Sequence, residues 1–278
     1  MKEVRIEING IDYFVLENDR QGSMVLMIHG WPDDSSMWRH QAEALTEAGY
    51  KVVVPDIPGF GKTARPEAIE RYSVEQLARD MFAILDHYNV EKAHLVAHDY
   101  GAVTGWTMVF GAPERLLSHT ACSVGHFGTT RDTQLVEIER HWYFFAYQLA
   151  CNSRLFRADS ARLLRYLTDS HPEQEKVVGW MLESDNLEQA WRWDFANSVG
   201  EFLADGLEGA YDELPPVTVP TMGIYGKDDY FLSPRQMQDT GQFMAADWRY
   251  EEIEGGHWFM LKQPEKTSAL ILDWLKNY

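Results

Sequence analysis

The sequence predicts an α/β fold: a mainly parallel sheet flanked by helices and interrupted by a helical insertion. Three observations carry this. Short continuous apolar runs, such as Met24–Ile28, read as strands buried on both faces. These runs alternate with helical periodicities, the signature of strands joined through crossover helices. The segment 127–212 then breaks the alternation, with aromatic and leucine periodicity and no convincing strand, before strands return.

The elements follow in chain order. Residues 5–8 and 13–16 read as strands joined by the Asn9-Gly10 turn, a hairpin signal. Met24–Ile28 is the first buried strand and 52–54 the next, ending at Pro55-Asp56. Between them 36–48 has helical spacing at Trp38, Ala42 and Leu45 behind a Ser35/Ser36 cap. Residues 73–88 form a helix opened by a Ser73/Gln76 capping box, with Leu77, Met81, Ile84 and Leu85 on one face. Strand 93–97, helix 101–110 and strand 116–124 complete the first part. Strands 221–225 and 249–253 and a helix over 265–275 complete the second, with Pro215-Pro216 at the boundary. The expected organisation is a core of 1–126 and 213–278 carrying a helical cap of 127–212.

The 278 residues hold 25 Lys and Arg against 43 Asp and Glu, a net charge of −18. So negative a surface repels nucleic acid phosphates and anionic lipid, so neither is an expected partner. Its general use is solubility. The two cysteines, Cys122 and Cys151, make no disulfide framework, and no Cys/His cluster has metal-ligand spacing. No metal or cofactor is expected. The opening MKEVRIEING lacks an apolar leader segment and no run approaches the ~18–20 residues of a membrane span, so a cytoplasmic protein is expected, as monomer or homodimer. Gly61-Lys62-Thr63 resembles the end of a phosphate loop, but the first glycine of that loop would fall at Asp56. Gly59-Phe60-Gly61 lacks the third glycine of a dinucleotide fingerprint.

Parallel sheets place their sites just beyond the carboxyl ends of the strands. Strand 93–97 runs into His98-Asp99-Tyr100-Gly101 and a helix, the setting of a nucleophile elbow, with Ala97 and Gly101 as its small flanking residues. Asp99 stands where a serine is more common. Strand 221–225 runs into Gly226-Lys227-Asp228-Asp229, and strand 249–253 into Gly255-Gly256-His257. The order nucleophile, acid, histidine is that of α/β-hydrolases. Asp99 is the expected nucleophile and His257 the general base. Asp228 and Asp229 are the candidates for the acid that orients the histidine. The oxyanion hole is expected from the backbone N–H groups of Trp31, in the loop after Met24–Ile28, and Tyr100.

His29-Gly30-Trp31-Pro32, Asp56-Ile57-Pro58-Gly59-Phe60-Gly61, His98-Asp99-Tyr100-Gly101 and Gly256-His257-Trp258 together resemble the epoxide hydrolase and dehalogenase branch of the α/β-hydrolase superfamily, over nearly the whole chain. The resemblance implies an aspartate that displaces a leaving group at a saturated carbon, forming an alkyl ester that water then cleaves. It implies an acid three residues after the glycine, hence Asp229 over Asp228, and a cap tyrosine that donates to the leaving oxygen. Residues 141–148 are similar to the family's first lid-helix motif and place Tyr143 in that role, with Tyr147 as rival. Within 190–195 no second tyrosine occurs; Phe195 or Trp193 takes its place. Trp31, Trp142, Tyr147, Trp193, Phe195 and Trp258 are the expected substrate contacts. Haloalkane dehalogenases usually carry Trp after the nucleophile and Asn in the His-Gly-x-Pro loop, where this chain has Tyr100 and Trp31. Fluoroacetate dehalogenases carry arginines where it has Tyr100 and Val103. The expected reaction is hydrolysis of a small neutral epoxide to a vicinal diol. The alternative is carbon–halogen hydrolysis, and a more remote one is a ligand-binding or non-hydrolytic scaffold.

Overall fold

The computed structural model describes residues 1–129, 139–140, 142–143 and 153–278. Eight strands form one sheet in the order β1-β2-β4-β3-β5-β6-β7-β8: β1 Lys2–Ile8, β2 Ile11–Glu17, β3 Met24–Ile28, β4 Lys51–Pro55, β5 Ala93–His98, β6 Leu116–Cys122, β7 Thr221–Gly226 and β8 Trp248–Ile253. β2 runs antiparallel to both its neighbours, and every pairing from β4 through β8 is parallel. β3 and β5 are buried at every position, which is why they read as unbroken apolar runs. β8, at the edge, is half-exposed along most of its length.

Helix α1 (Arg39–Glu47) packs with the C-terminal helix Pro264–Leu275, and α2 (Val74–His87) packs with α3 (Tyr100–Gly111). The Ser73 side chain accepts a hydrogen bond from the Gln76 N–H at 3.2 Å, as the capping-box spacing predicts. The start of α1 differs from expectation. Ser35–Trp38 is a 3₁₀ turn, and its cap is Asp34, which accepts from the Ser36 N–H at 2.8 Å. A carboxylate one residue earlier outcompetes the serine hydroxyls for that amide.

Between β6 and β7 the described residues hold four helices and no strand: α4 Ser153–Leu167, α5 Gln174–Leu182, α6 Asn186–Ala196 and α7 Val199–Glu208. They reach the core through named bonds. Trp193 Nε1 donates to the Pro58 carbonyl at 2.6 Å, and the Asn197 side chain bonds Tyr72 O and Val74 N at 2.9 and 2.8 Å. His171 Nε2 meets Asp33 Oδ1 at 3.1 Å. Pro58, Asp33 and Tyr72 all follow strand ends or precede α2, so these helices sit over the carboxyl edge of the sheet. Among the described residues no helix is long and apolar enough to cross a membrane.

Candidate active site

The strand order changes direction between β3 and β5, and the crevice this opens is where parallel sheets bind ligands. Asp99 follows β5 directly, with φ 53° and ψ −124°, a backbone that side-chain-bearing residues rarely adopt. The sharp turn demands small neighbours. A Cβ on Gly101 would lie 2.4 Å from the Ile28 carbonyl oxygen, and one on Gly30 would lie 2.4 Å from the Asp99 Cβ. β5 and α3 thus close onto β3, and the Asp99 carboxylate is pushed up against the loop that follows it.

That carboxylate has two unlike oxygens. Oδ1 accepts from the Trp31 N–H at 2.7 Å, and the Tyr100 N–H also donates to the carboxylate. Oδ2 stands 3.5 Å from His257 Nε2. The other ring nitrogen, Nδ1, is 2.8 Å from Asp229 Oδ2. Asp229 is buried, and its second oxygen accepts from the N–H groups of Phe231 and Leu232 at 2.8 and 3.1 Å. Asp228 is exposed at φ 63°. The structure therefore brings Asp99, His257 and Asp229 into one line and leaves Asp228 outside it.

Electrostatics follow from this wiring. Burial disfavours charge on all three groups, but mutual attraction outweighs it. Against burial, His257 and the Tyr100 amide hold the Asp99 carboxyl below its ordinary range. Against burial, His257 and the two loop amides hold Asp229 low. His257, despite its burial, is pushed up to about 10 by Asp229 and Asp99. The resting histidine is an imidazolium shared by two carboxylates. His98, its ring tilted 54° to that of His257 at 4.5 Å, stays neutral: burial and the adjacent imidazolium push it down to about 3, and its Nε2 meets the His257 carbonyl at 3.0 Å.

Above Asp99 opens a cavity of about 330 Å³. Asp99, Tyr100 and Val103 line it from the core, and Tyr143, Trp193 and Phe202 from the helices above. Tyr143 is buried, edge-on to Phe231 at 5.5 Å. Phe231, not anticipated from sequence, touches Trp31, Tyr143 and His257 in turn. Its neighbours are fixed by Arg140, whose Nη1 donates to the carbonyls of Asp229, Tyr230 and Leu232 at 2.7–3.1 Å.

Not every expected contact lies in the cavity. Trp193 lines it, with its indole stacked on Tyr100 at 5.5 Å. Trp142 and Phe195 do not: they are 38% and 45% exposed. Adjacent residues on a helix point about 100° apart and residues two apart about 200°, so Tyr143 and Trp193 turn inward as Trp142 and Phe195 turn out. Trp258 is fully buried outside the lining, with Nε1 on Asp33 at 3.1 Å. The Trp31 side chain packs beside Phe231, and its amide, not its ring, meets Asp99. Tyr147 lies outside the described residues. The position sequence reasoning missed is Asp194, buried beside Trp193 with its carboxylate on the Tyr100 hydroxyl. The signal was a carboxylate flanked by aromatics within 190–195.

Residues 24–264 match the family model described as the alpha/beta hydrolase fold. The chain is 37% identical to epoxide hydrolase B of Mycobacterium tuberculosis, with 92% of each chain covered. It is 27% identical to epoxide hydrolase A of the same organism, over 97% of this chain and 96% of the other. The crystal structure of epoxide hydrolase A from Mycobacterium thermoresistibile superposes with a TM-score of 0.76 at 23% identity, covering 99% of this chain and 98% of that one.

Proposed function

The chain belongs to the α/β-hydrolase fold family, on its epoxide hydrolase branch, and from that premise we propose that it hydrolyses small neutral epoxides to vicinal diols through an ester on Asp99. The observation that carries this reading is the Asp99 carboxylate itself. One oxygen is anchored by the Trp31 amide, the other stands 3.5 Å from His257 Nε2, and Asp99 and Tyr143 line the same cavity.

In this mechanism Asp99 Oδ2 attacks a ring carbon as the carbon–oxygen bond of the epoxide breaks. The freed oxygen takes a proton from the Tyr143 hydroxyl. Esterification removes the negative charge on Asp99, one of the two that hold the His257 proton. His257 then gives up that proton, which restores Tyr143, and becomes a neutral base held in one tautomer by Asp229. It takes a proton from water, whose oxygen attacks the Asp99 carboxyl carbon. The oxyanion forms on Oδ1, already seated on the Trp31 and Tyr100 amides. As the ester bond breaks, the departing alkoxide takes the remaining proton of that water. Asp99 ends as a carboxylate and His257 as an imidazolium, as they began.

The cavity suits an uncharged substrate. Val103 and Phe202 are among its walls, no Lys or Arg lines it among the described residues, and the chain's net charge of −18 disfavours anions. An unbuffered assay separates this from carbon–halogen cleavage. With styrene oxide we expect diol and no change of pH; with a bromoalkane we expect neither acid nor bromide. Acid and halide release without any diol from styrene oxide would make the chain a dehalogenase. Turnover of neither would return it to the binding-scaffold reading.

A further inference from the structure

The mechanism above leaves unused a buried polar pair, Tyr100 and Asp194, of which Tyr100 lines the cavity. Asp194, on α6, is 3% exposed, and its Oδ1 lies 2.6 Å from the Tyr100 hydroxyl. The Tyr100 ring lies flat on the Trp193 indole, at 5.5 Å and 12°. Trp193 is itself tied to the core through Pro58. Two consecutive residues of one helix therefore hold the ring of the residue next to the nucleophile, one by stacking and one by a short hydrogen bond. Tyr100 and Tyr143 both line the cavity that Asp99 faces.

We propose that Tyr100 and Asp194 form a second proton-donating arm, with the protonated Asp194 carboxyl bonded to the Tyr100 oxygen and the Tyr100 hydroxyl turned to the epoxide oxygen. This rests on the epoxide reading. Tyr100 is then a catalytic residue, and Asp194 a positioning residue that acts through it. As Asp99 Oδ2 bonds to the ring carbon and the ring carbon–oxygen bond breaks, the freed oxygen takes a single proton, on this route from Tyr100 in place of Tyr143, which keeps its own proton and only hydrogen-bonds that oxygen. Tyr100 takes the Asp194 proton, leaving a carboxylate. The proton that His257 releases on esterification of Asp99 refills Asp194. The arm takes the place of a second cap tyrosine, since Phe195 faces solvent.

The charges around Asp194 support its holding a proton. Burial raises its pKa, the Tyr100 hydroxyl opposes that rise and the Asp99 charge adds to it, leaving Asp194 at about 7. Tyr143 stands close enough to Tyr100 to be felt electrostatically. Glu75, Glu201 and Asp205 also line the cavity. The nearest cation on the same helix, Arg192, points elsewhere, to the Glu67 carbonyl and the Tyr72 ring.

The test is the ring-opening step alone, followed by stopped-flow tryptophan fluorescence with styrene oxide from pH 5 to 10. In the unmodified enzyme the rate should fall as pH rises past about 7. Asp194→Asn should slow opening at pH 6 by about 10-fold and abolish that limb, because the amide does not ionise. Tyr100→Phe should slow opening by about 10-fold or more and also flatten the profile. A merely structural Asp194 would scale the rate equally at every pH and keep the limb. The inference is overturned if Asp194→Asn retains the limb, or if Tyr100→Phe opens the epoxide at the unmodified rate. Should Asp194→Asn fail to fold, Tyr100→Phe and the unmodified profile decide the matter. Mass spectrometry on the same samples separates the two failures. An Asp99 ester with an unaltered profile sinks the relay alone, whereas no ester from any epoxide sinks the epoxide reading beneath it.

Discussion

The floor and the roof of the cavity are built by different means. On the floor, Asp99, Asp229 and His257 stand on the turns just beyond three strands; backbone amides fix the two carboxylates, Trp31 on Asp99 and Phe231 and Leu232 on Asp229, and Asp229 fixes His257. On the roof, Tyr143, Trp193 and Asp194 project from helices and are placed by side-chain packing. The two buried aspartates show the consequence. Asp229, against a histidine and two N–H donors, is held below the ordinary carboxylate range despite its burial, whereas Asp194 is pushed up to about 7 by burial and by the Asp99 charge, against the opposing bond from the Tyr100 hydroxyl. The same residue type serves as a fixed charge below and as a neutral acid above. In the proposed reaction the floor would supply what is common to both steps, and the roof would decide which leaving group is served.

If the floor carries the bond-making, its variants should cost most. Asp99→Ala should lower turnover of styrene oxide by at least about 10⁴-fold, measured as diol by chromatography. Asp229→Asn keeps the shape but loses the charge, and should cost about 10²–10⁴-fold, with the loss falling on ester hydrolysis more than on ester formation. On the roof, Tyr143→Phe should slow ring opening by about 10²-fold while leaving hydrolysis of a preformed ester unchanged. An equal loss in both steps would erase the division of labour drawn above. The smallest effect concerns stability. The Asp194 pKa is raised on folding, so the folded state holds that proton more tightly than the unfolded chain does. Stability is therefore lost as pH rises from the unfolded carboxylate range through about 7. Asp194→Asn should consequently raise the melting temperature more at pH 8 than at pH 5, and the reverse order would mean that Asp194 is charged at rest.

Legibility in the sequence divides along the same line. β3 and β5 announce themselves because strands covered on both faces must be apolar throughout. The elbow is readable because its tight turn admits only small residues, and the close approach of Gly101 to the Ile28 carbonyl is the physical reason. Asp229 follows from its spacing after β7, since Gly226 brings the chain against Gly256 of the histidine loop. The roof is harder to read. Helical periodicity says which side chains share a face, but not which face meets the cavity. Trp142 and Phe195 were therefore expected inside and are found outside, while Asp194 and Phe231 went unremarked. Long-range pairs such as Tyr100 with Asp194 leave no local pattern, because their spacing is set by how the helices dock and not by either segment alone.

The central claim is that Asp99 forms a covalent bond to substrate carbon. The most direct measurement is peptide mass spectrometry of His257→Gln after exposure to styrene oxide. Loss of the base should let the first step proceed and stall the second. The account predicts a peptide containing Asp99 heavier by one molecule of styrene oxide, with the adduct absent from Asp99→Ala/His257→Gln. An unmodified Asp99 peptide after full exposure, from a folded variant that still binds the epoxide, would contradict it.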